Sequence, residues 1–359
     1  MRGNTGKILG AVITLVCLVL AFYRVNVDEL LGALATANYL LVLPALLLWL
    51  VGYMARTLRW RAILAGARPG SLGSLFGVLM VGFATNNLLP ARLGEIARAY
   101  LLRRRTGLRK TFVLASIVLE RVFDGLALVA VILLLSALVK PPGWDSETDV
   151  AATVSWIERL ATVGFVGVTV AIAAVLVRRD LSARLVSSVA AILPSRIGHF
   201  VTSAFGAFLS GLSSMRRPEV VAATTLLSLA VWAIEWGAYV TIASAFNLGL
   251  NQLQLAAACA LLLVVVNLGI MIPAAPGYVG TFQFFAISAL AVWGVPREQA
   301  LAVAIVAHLT QYVLVTAIGL AFFGREHLSL RTVALESRAR DDADSSDAGS
   351  GLAIGEVRS

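Results

Sequence analysis

Long apolar runs separated by short basic gaps dominate this sequence. Runs of about 18 or more apolar residues are typical of helices that span a membrane. Hydrophobic residues make up 59% of the chain and charged residues 14%, whereas soluble domains carry about 25% charged residues. The pattern excludes a soluble globular fold and predicts an all-α polytopic membrane protein.

The formal net charge of +9 follows the same pattern. Lys and Arg lie in the gaps between apolar runs, as in cytoplasmic loops, whereas nucleic-acid binding would need a basic face on a soluble fold. Cys17 and Cys259 lie inside apolar runs and are interpreted as small buried hydrophobic residues. Because no Walker loop, dinucleotide fingerprint or metal-spaced His or Cys cluster occurs, we expect no cofactor or metal. The placement of the basic residues predicts no nucleic-acid partner.

Six apolar runs are predicted to cross the membrane. Arg2 and Lys7 precede the first run, which we interpret as an uncleaved signal-anchor helix, so the positive-inside rule places the N-terminus in the cytoplasm. Six crossings return the C-terminus to the cytoplasm. The predicted spans are 8–23, 39–55, 111–139, 157–177, 220–246 and 301–323.

Two further apolar segments are predicted to form re-entrant or broken helical hairpins. Residues 72–89 precede an arginine-rich stretch that resists translocation, so this run is expected to turn back near residues 86–90. Residues 253–272 and 278–293 are separated only by a segment with two prolines and a glycine, which predicts a break. This pair is interpreted as a second hairpin that enters from the opposite side, and two short full crossings would give the same topology.

The two breaks have similar sequences, which suggests an inverted repeat. Each has an Asn before a Pro, and each has a Pro four residues before a Gly, at Pro90 and Gly94 and at Pro276 and Gly280. Paired Gly/Pro-interrupted segments of opposed orientation indicate a transporter site. Coincidence is the alternative, because Pro and Gly are common in membrane helices.

Several ionisable residues lie within the apolar runs, where each costs roughly 2.5–3.5 kcal/mol on insertion scales. Glu120 and Asp124 share one helix face at i, i+4. Arg121 lies about 100° around that helix, so we expect its partner on another helix. Glu235 lies deep in its span, where a proton-coupling role and a satisfied ion pair are both open. Structural ion pairs that join helices are the alternative to a functional site.

The first break is followed by Arg92, Glu95 and Arg98 along one side of a short helix. The N-terminus of that helix and the two arginines predict a phosphate site, and snorkelling at the membrane interface is the alternative.

Two other polar groups receive a structural interpretation. Arg56, Arg59 and Arg61 end the second span, and a positive-inside anchor explains them better than substrate contact. His308 and Gln311 are expected to form interhelical hydrogen bonds.

Four stretches resemble, in order, the lysylphosphatidylglycerol synthase transmembrane (flippase-like) family. They are residues 56–60, 87–98, 120–124 and 273–282. The resemblance implies a bacterial inner-membrane protein that moves an aminoacylated or otherwise modified lipid between leaflets. Two-part members carry an aminoacyl-transferase domain that this sequence lacks, so we expect no lysyl-lipid synthesis. Gln283 stands where the family often has Glu, which removes a charge from that position.

These observations predict translocation of a phospholipid or lipid-linked substrate through a polar cavity near the membrane midplane. The alternatives are a glycosyltransferase-type enzyme acting on polyprenyl-phosphate sugars and a membrane scaffold for lipid-modifying enzymes. The expected partner is a membrane lipid with a phosphate headgroup, and a separate lipid-modifying enzyme and a second copy of the chain are candidate protein partners. The predicted substrate-binding residues are Asn87, Pro90, Arg92, Gly94, Glu95, Arg98, Glu120, Arg121, Asp124, Glu235, Pro276, Gly277, Gly280 and Gln283.

The predicted domain organisation is simple. Residues 1–323 form the flippase-like transmembrane domain, in which 178–217 are a cytoplasmic amphipathic connector. Residues 324–359 form a cytoplasmic tail that we expect to be disordered.

Overall fold

The computed structural model describes residues 2–89, 93–138, 178–194, 217–272 and 275–325, with isolated positions between 163 and 209. The predicted span at 157–177, Pro90, Arg92 and the predicted tail beyond residue 325 therefore lie outside the description. Every regular element in the described ranges is a helix. The helices are α1 (Arg2–Phe22), α2 (Val27–Ala35), α3 (Val42–Ile63, after a 3₁₀ turn at Tyr39–Leu41), α4 (Leu72–Leu88), α5 (Gly94–Thr106), α6 (Lys110–Leu138), α7 (Arg179–Ile192), α8 (Pro218–Ala243), α9 (Gln252–Gly269), α10 (Thr281–Ala291, after a 3₁₀ turn at Pro276–Tyr278) and α11 (Arg297–Arg325).

Four helical segments in the described ranges are long and apolar enough to cross a membrane: Tyr39–Ile63, Pro218–Ala243, Gln252–Gly269 and Arg297–Arg325. A fifth span is formed if α1 and α2, which meet at an angle of 84°, count as one bent element. The chain is therefore a multi-pass helical membrane protein. The predicted number of six spans is not established by these residues.

Helix α6 is not among these candidate spans, although its 29 residues are long enough to cross a membrane. At 1.5 Å per residue it extends ~44 Å, against a hydrocarbon core of ~30 Å. Its middle carries Glu120, Arg121 and Asp124, so its position within the bundle depends on how these charges are compensated.

The first interrupted pair, α4 and α5, forms a tight helical hairpin. Helix α4 has 17 residues, or ~26 Å, and α5 packs back against it. Glycines allow this close approach, because a Cβ on Gly94 would overlap the Gly82 carbonyl oxygen and Asn86 Oδ1. Helices α4 and α5 thus form a hairpin at the predicted turn, and its re-entrant insertion into the membrane stays a prediction.

The second interrupted pair, α9 and α10, is joined by the 3₁₀ turn at Pro276–Tyr278. Helix α9 has 18 residues and is long and apolar enough to cross a membrane, whereas α10 has only 11 residues, or ~17 Å, and is too short to cross. The connection needs glycine, since Gly277 and Gly280 have φ of +71° and +84°, a region that other residues rarely adopt.

The bundle core lies where α3 packs along α8 and α11 packs along α4. Helix α1 covers α10, and Thr14 Oγ1 accepts a hydrogen bond of 2.8 Å from the Ala275 N–H in the second break. Leu15, Leu43 and Leu47 are more than 60% exposed. Extended apolar surface of this kind is typical of an interaction surface such as a lipid-facing side.

The connector contains one described helix, α7, with Leu181, Leu185, Val189 and Ile192 exposed along it. Their spacing of four, four and three residues forms an apolar stripe. The amphipathic helix predicted within residues 178–217 is present over 179–192.

Candidate functional site

A cavity of about 300 Å³ lies where the two interrupted helix pairs meet. Helix α4 contacts the 3₁₀ turn of the second break, and a Cβ on Gly277 would lie 3.3 Å from the Asn87 carbonyl oxygen. The two breaks are therefore direct neighbours. The described lining residues are Tyr53, Arg56, Gly82, Phe83, Asn86, Asn87, Gly94, Glu95, Arg98, Arg121, Asp124, Gly125, Leu128, Trp232, Glu235, Tyr239, Val266, Asn267, Leu268, Ile270, Met271, Tyr278, Phe282, His308, Gln311, Tyr312 and Val315.

Six buried ionisable residues form a chain of alternating charge beside this cavity. Each is at most 8% exposed. They come from α8, α3, α6 and α5, so the chain of ion pairs joins four helices. In order of contact they are Glu235, Arg56, Asp124, Arg59, Glu120 and Arg98.

The centre of this ion-pair chain is tightly bonded. Arg59 Nη1 donates to Asp124 Oδ1 at 2.6 Å and to Ser228 Oγ at 3.2 Å. Arg59 Nη2 lies 3.8 Å from Glu120 Oε1. Because Arg59 is 1% exposed, its charge is compensated entirely by protein groups.

The two ends of the ion-pair chain reach the cavity. Arg56 Nη2 donates to Glu235 Oε2, and Arg56 Nη1 lies 3.9 Å from Asp124 Oδ1. At the other end, Arg98 Nη2 donates to Glu120 Oε2 at 2.6 Å. Arg56 and Arg98 line the cavity, whereas Glu120 and Arg59 lie behind its wall.

Two indole rings support Arg56 and Arg98. The Arg98 guanidinium lies 4.0 Å from the centre of the Trp60 ring, and Trp60 Nε1 donates to Ser116 Oγ at 3.0 Å. The Arg56 guanidinium lies 5.2 Å from the centre of the Trp232 ring. Cation–π contacts of this kind add roughly 0.5–2 kcal/mol, so the rings help to fix both guanidinium groups.

The interpretation of Arg56 and Arg59 as interfacial anchors is wrong, because both are buried and ion-paired. One signal could have identified them. Carboxylates at membrane depth require cations nearby, and the apolar runs contain three of them: Glu120, Asp124 and Glu235. Two arginines at i, i+3 lie on one face of a helix and can supply these cations from a neighbouring span.

Arg121 also differs from its prediction. Its partner is on the same helix, since Arg121 Nη2 lies 3.6 Å from Asp124 Oδ2 at i, i+3. The Arg121 side chain is 48% exposed, because its direction takes it to the cavity mouth rather than towards another helix.

Glu95 is the lining carboxylate that has no ion pair within the described residues. It is half-buried in the first turn of α5. Asn86 Oδ1 accepts a 2.7 Å bond from the Gly94 N–H, so one of the free N–H groups of that helix N-terminus is already satisfied.

His308 and Gln311 form the interhelical hydrogen bonds expected of them. Gln283 Nε2 lies 3.0 Å from His308 Nδ1, which joins α10 to α11. Gln311 Nε2 donates to Tyr53 Oη at 3.2 Å, which joins α11 to α3. Gln283 Oε1 also accepts a 2.8 Å bond from the Gly280 N–H, so Gln283 fixes the start of α10.

The predicted site residues separate into groups. Those that line the cavity are Asn87, Gly94, Glu95, Arg98, Arg121, Asp124 and Glu235. Pro276, Gly277, Gly280 and Gln283 shape or fix the second break without lining the cavity, and Glu120 lies behind the wall. Pro90 and Arg92 lie outside the described residues.

The described part of the wall is rich in arginines, amides and aromatic rings. Within the described ranges, no group of three or more His, Cys, Asp and Glu side chains could hold a metal ion. The arginines, amides and aromatic rings of the wall are instead groups that bind an organic anion or a polar headgroup.

Fold and site together define a multi-pass helical membrane protein with two interrupted helix pairs around a buried polar cavity. A sequence model described as the lysylphosphatidylglycerol synthase TM region matches residues 7–319. The chain belongs to this family.

Three curated relatives are similar along most of the chain. Glycosyltransferase AglD of Haloferax volcanii is 26% identical over 353 residues, which cover 92% of this chain and 56% of AglD. This chain thus spans about half the length of that relative. Two UPF0104 membrane proteins of Methanothermobacter thermautotrophicus are 26% and 25% identical, over 89% and 81% of this chain and 96% and 84% of theirs. No solved structure matches significantly.

Proposed function

We propose that this protein moves a phospholipid or lipid-linked substrate between the leaflets of the cell membrane. In this proposal the headgroup passes through the cavity while the acyl chains remain in the bilayer. The main support is the contact between two helix breaks beside a cavity with compensated charges. Irregular backbone at membrane depth is tolerated where protein covers it or where it lines a water-filled cavity.

The lipid phosphate is assigned to the α5 side of the cavity. Arg121 is half-exposed at the mouth and has a 3.6 Å contact to Asp124, so it can change partner with little loss. Arg98 lies deeper, and its Nε atom has no hydrogen-bond partner within the described residues. The N-terminus of α5 adds partial positive charge, and on sequence grounds Arg92 belongs to the same site.

A leaflet-resolved assay tests this function. Purified protein is reconstituted in vesicles with a fluorescent phospholipid, and an impermeant quencher reports the fraction in the outer leaflet. We expect exchange well above that of protein-free vesicles, and a loss of at least tenfold for Arg98→Met. The control is Arg325→Met, at the end of α11 and away from the cavity. Exchange equal to protein-free vesicles would refute the proposal.

The second candidate is an enzyme that acts on a polyprenyl-phosphate sugar. The name of the relative AglD favours it, and Glu95, which has no ion pair within the described residues, is the carboxylate available as a general base. Asp124 and Glu235 are less suitable, since arginines hold both. Product formation by the purified chain from a lipid-linked sugar, abolished in Glu95→Gln, would support this candidate over transport.

A further inference from the structure

The cavity wall combines compensated charges with an unusual number of aromatic rings and side-chain amides. Seven of the 27 described lining residues are Phe, Trp or Tyr, whereas these residues make up 8% of the chain. A wall that recognised only a phosphate would need little of this surface. The composition therefore carries information about the part of the headgroup beyond the phosphate.

The charges on the wall are largely satisfied within the protein. Arg56 pairs with Glu235, Arg98 with Glu120, and Asp124 with Arg59. A strongly charged headgroup that reached beyond Glu95 and Arg121 would have to displace one of these buried pairs, which leaves the other partner uncompensated. A neutral polar group beyond the phosphate avoids this displacement.

Three side-chain amides on the wall use only their NH2 group in hydrogen bonds to the described residues. Asn87 Nδ2 donates to Thr316 Oγ1 at 3.0 Å, Asn267 Nδ2 to Leu263 O at 2.8 Å, and Gln311 Nε2 to Tyr53 Oη at 3.2 Å. No group in the described ranges bonds to the carbonyl oxygen of these three amides. The three carbonyl oxygens are fixed acceptors for hydroxyl groups.

The aromatic residues supply the complementary surface. Phe83 and Tyr312 line the cavity and are only partly buried, whereas Phe282 is covered by His308, which stacks on it at 4.5 Å between ring centres. The hydroxyls of Tyr239 and Tyr312 make no hydrogen bond to the described residues. A sugar ring has an apolar C–H face that packs on aromatic rings and a rim of hydroxyls that need acceptors and donors, so it matches both features.

We infer that the headgroup carried by this cavity is a sugar attached to the lipid phosphate, with the sugar held between the aromatic rings and the three amides. This inference rests on the proposed function, because it assigns the substrate class of the same cavity. A cationic headgroup fits less well. The Trp232 face already carries Arg56 at 5.2 Å, and Glu95 is the single lining carboxylate without an ion pair in the described ranges.

The test compares three lipids that share one fluorescent acyl chain: phosphatidylglucose, phosphatidylmethanol and lysylphosphatidylglycerol. Each is exchanged by the full chain in vesicles. We expect phosphatidylglucose to exchange at least tenfold faster than phosphatidylmethanol, and Gln311→Leu to lower this ratio at least threefold. The matched control is Gln252→Leu, an exposed amide at the start of α9, which should leave the ratio unchanged.

Each other outcome is decisive. Equal rates for phosphatidylglucose and phosphatidylmethanol, both above protein-free vesicles, overturn the sugar assignment and leave the transport proposal standing. Fastest exchange of lysylphosphatidylglycerol also overturns it, in favour of a cation site at Glu95. Rates equal to protein-free vesicles for all three lipids overturn transport itself. If Gln311→Leu does not fold, the comparison of lipids on the unchanged chain decides.

Discussion

Removing both members of the Arg98–Glu120 ion pair should destabilise the protein less than removing either member alone. Glu120 is 1% exposed and bonds Arg98 at 2.6 Å. Breaking a buried pair from one side costs about 3–5 kcal/mol, because the remaining charge is left uncompensated. We therefore expect Glu120→Leu and Arg98→Met each to lower the free energy of unfolding by that amount.

The double variant has a different balance. Without Arg98 and Glu120, the ion-pair chain keeps two carboxylates and two arginines, and every remaining charge retains its closest partner. Replacing a buried pair by apolar residues of similar size is often close to neutral. Met also keeps a favourable contact with the Trp60 ring. We expect the double variant to lose less than ~2 kcal/mol, whereas additive losses would total ~6–10 kcal/mol.

Equilibrium unfolding in mixed micelles measures all three variants. Because Arg98 lines the cavity, the stable double variant should still fail to exchange lipid. Additive losses of stability would refute the reasoning, since they would mean that the two charges do not compensate each other.

The remaining predictions concern packing, the cavity mouth and orientation. Gly94→Ala should lower the free energy of unfolding by about 1–3 kcal/mol, because the new Cβ overlaps the Gly82 carbonyl oxygen. Gly73→Ala is the control, since its Cβ would meet no atom within 4 Å, and it should not destabilise the protein when both variants are compared by thermal unfolding. Arg121→Gln should change stability by less than ~1 kcal/mol, since its pair is half-exposed; a larger loss in micelle unfolding would show that the pair is buried. His308→Leu should cost about 1–3 kcal/mol by leaving the buried Gln283 without this partner, and a chemical melt that matches the unchanged chain would contradict that bond. A reporter fused to the C-terminus should be active in the cytoplasm, as six crossings require, and external activity would exclude that count.

The two interrupted helix pairs could be predicted because their signals are local. The arginine-rich stretch after α4 resists translocation, and a break with two prolines and a glycine ends α9. The contact between the two breaks was expected from their similar sequences, because paired interruptions of this kind indicate one shared site.

The partners of the buried charges could not be predicted in the same way. The sequence of α3 shows Arg56 and Arg59 at the end of an apolar run, which is also the pattern of an interfacial anchor. Only the packing of α3 along α8 and beside α6 shows that Glu235 and Asp124 face them. The sequence also does not show the direction in which a side chain points, so it does not predict the i, i+3 contact of Arg121 with Asp124.

Accessibility of the cavity to water can be measured with single cysteines. In a background with Cys17→Ser and Cys259→Ala, the variants Asn267→Cys, Gln311→Cys and Leu309→Cys are treated with a membrane-impermeant maleimide in vesicles. Asn267 and Gln311 line the cavity, whereas Leu309 is 59% exposed on the outside of α11, where lipid would cover it. We predict labelling at the two cavity positions and none at Leu309→Cys. Unlabelled cavity positions would mean a dry interior and would contradict passage of a headgroup between the two breaks.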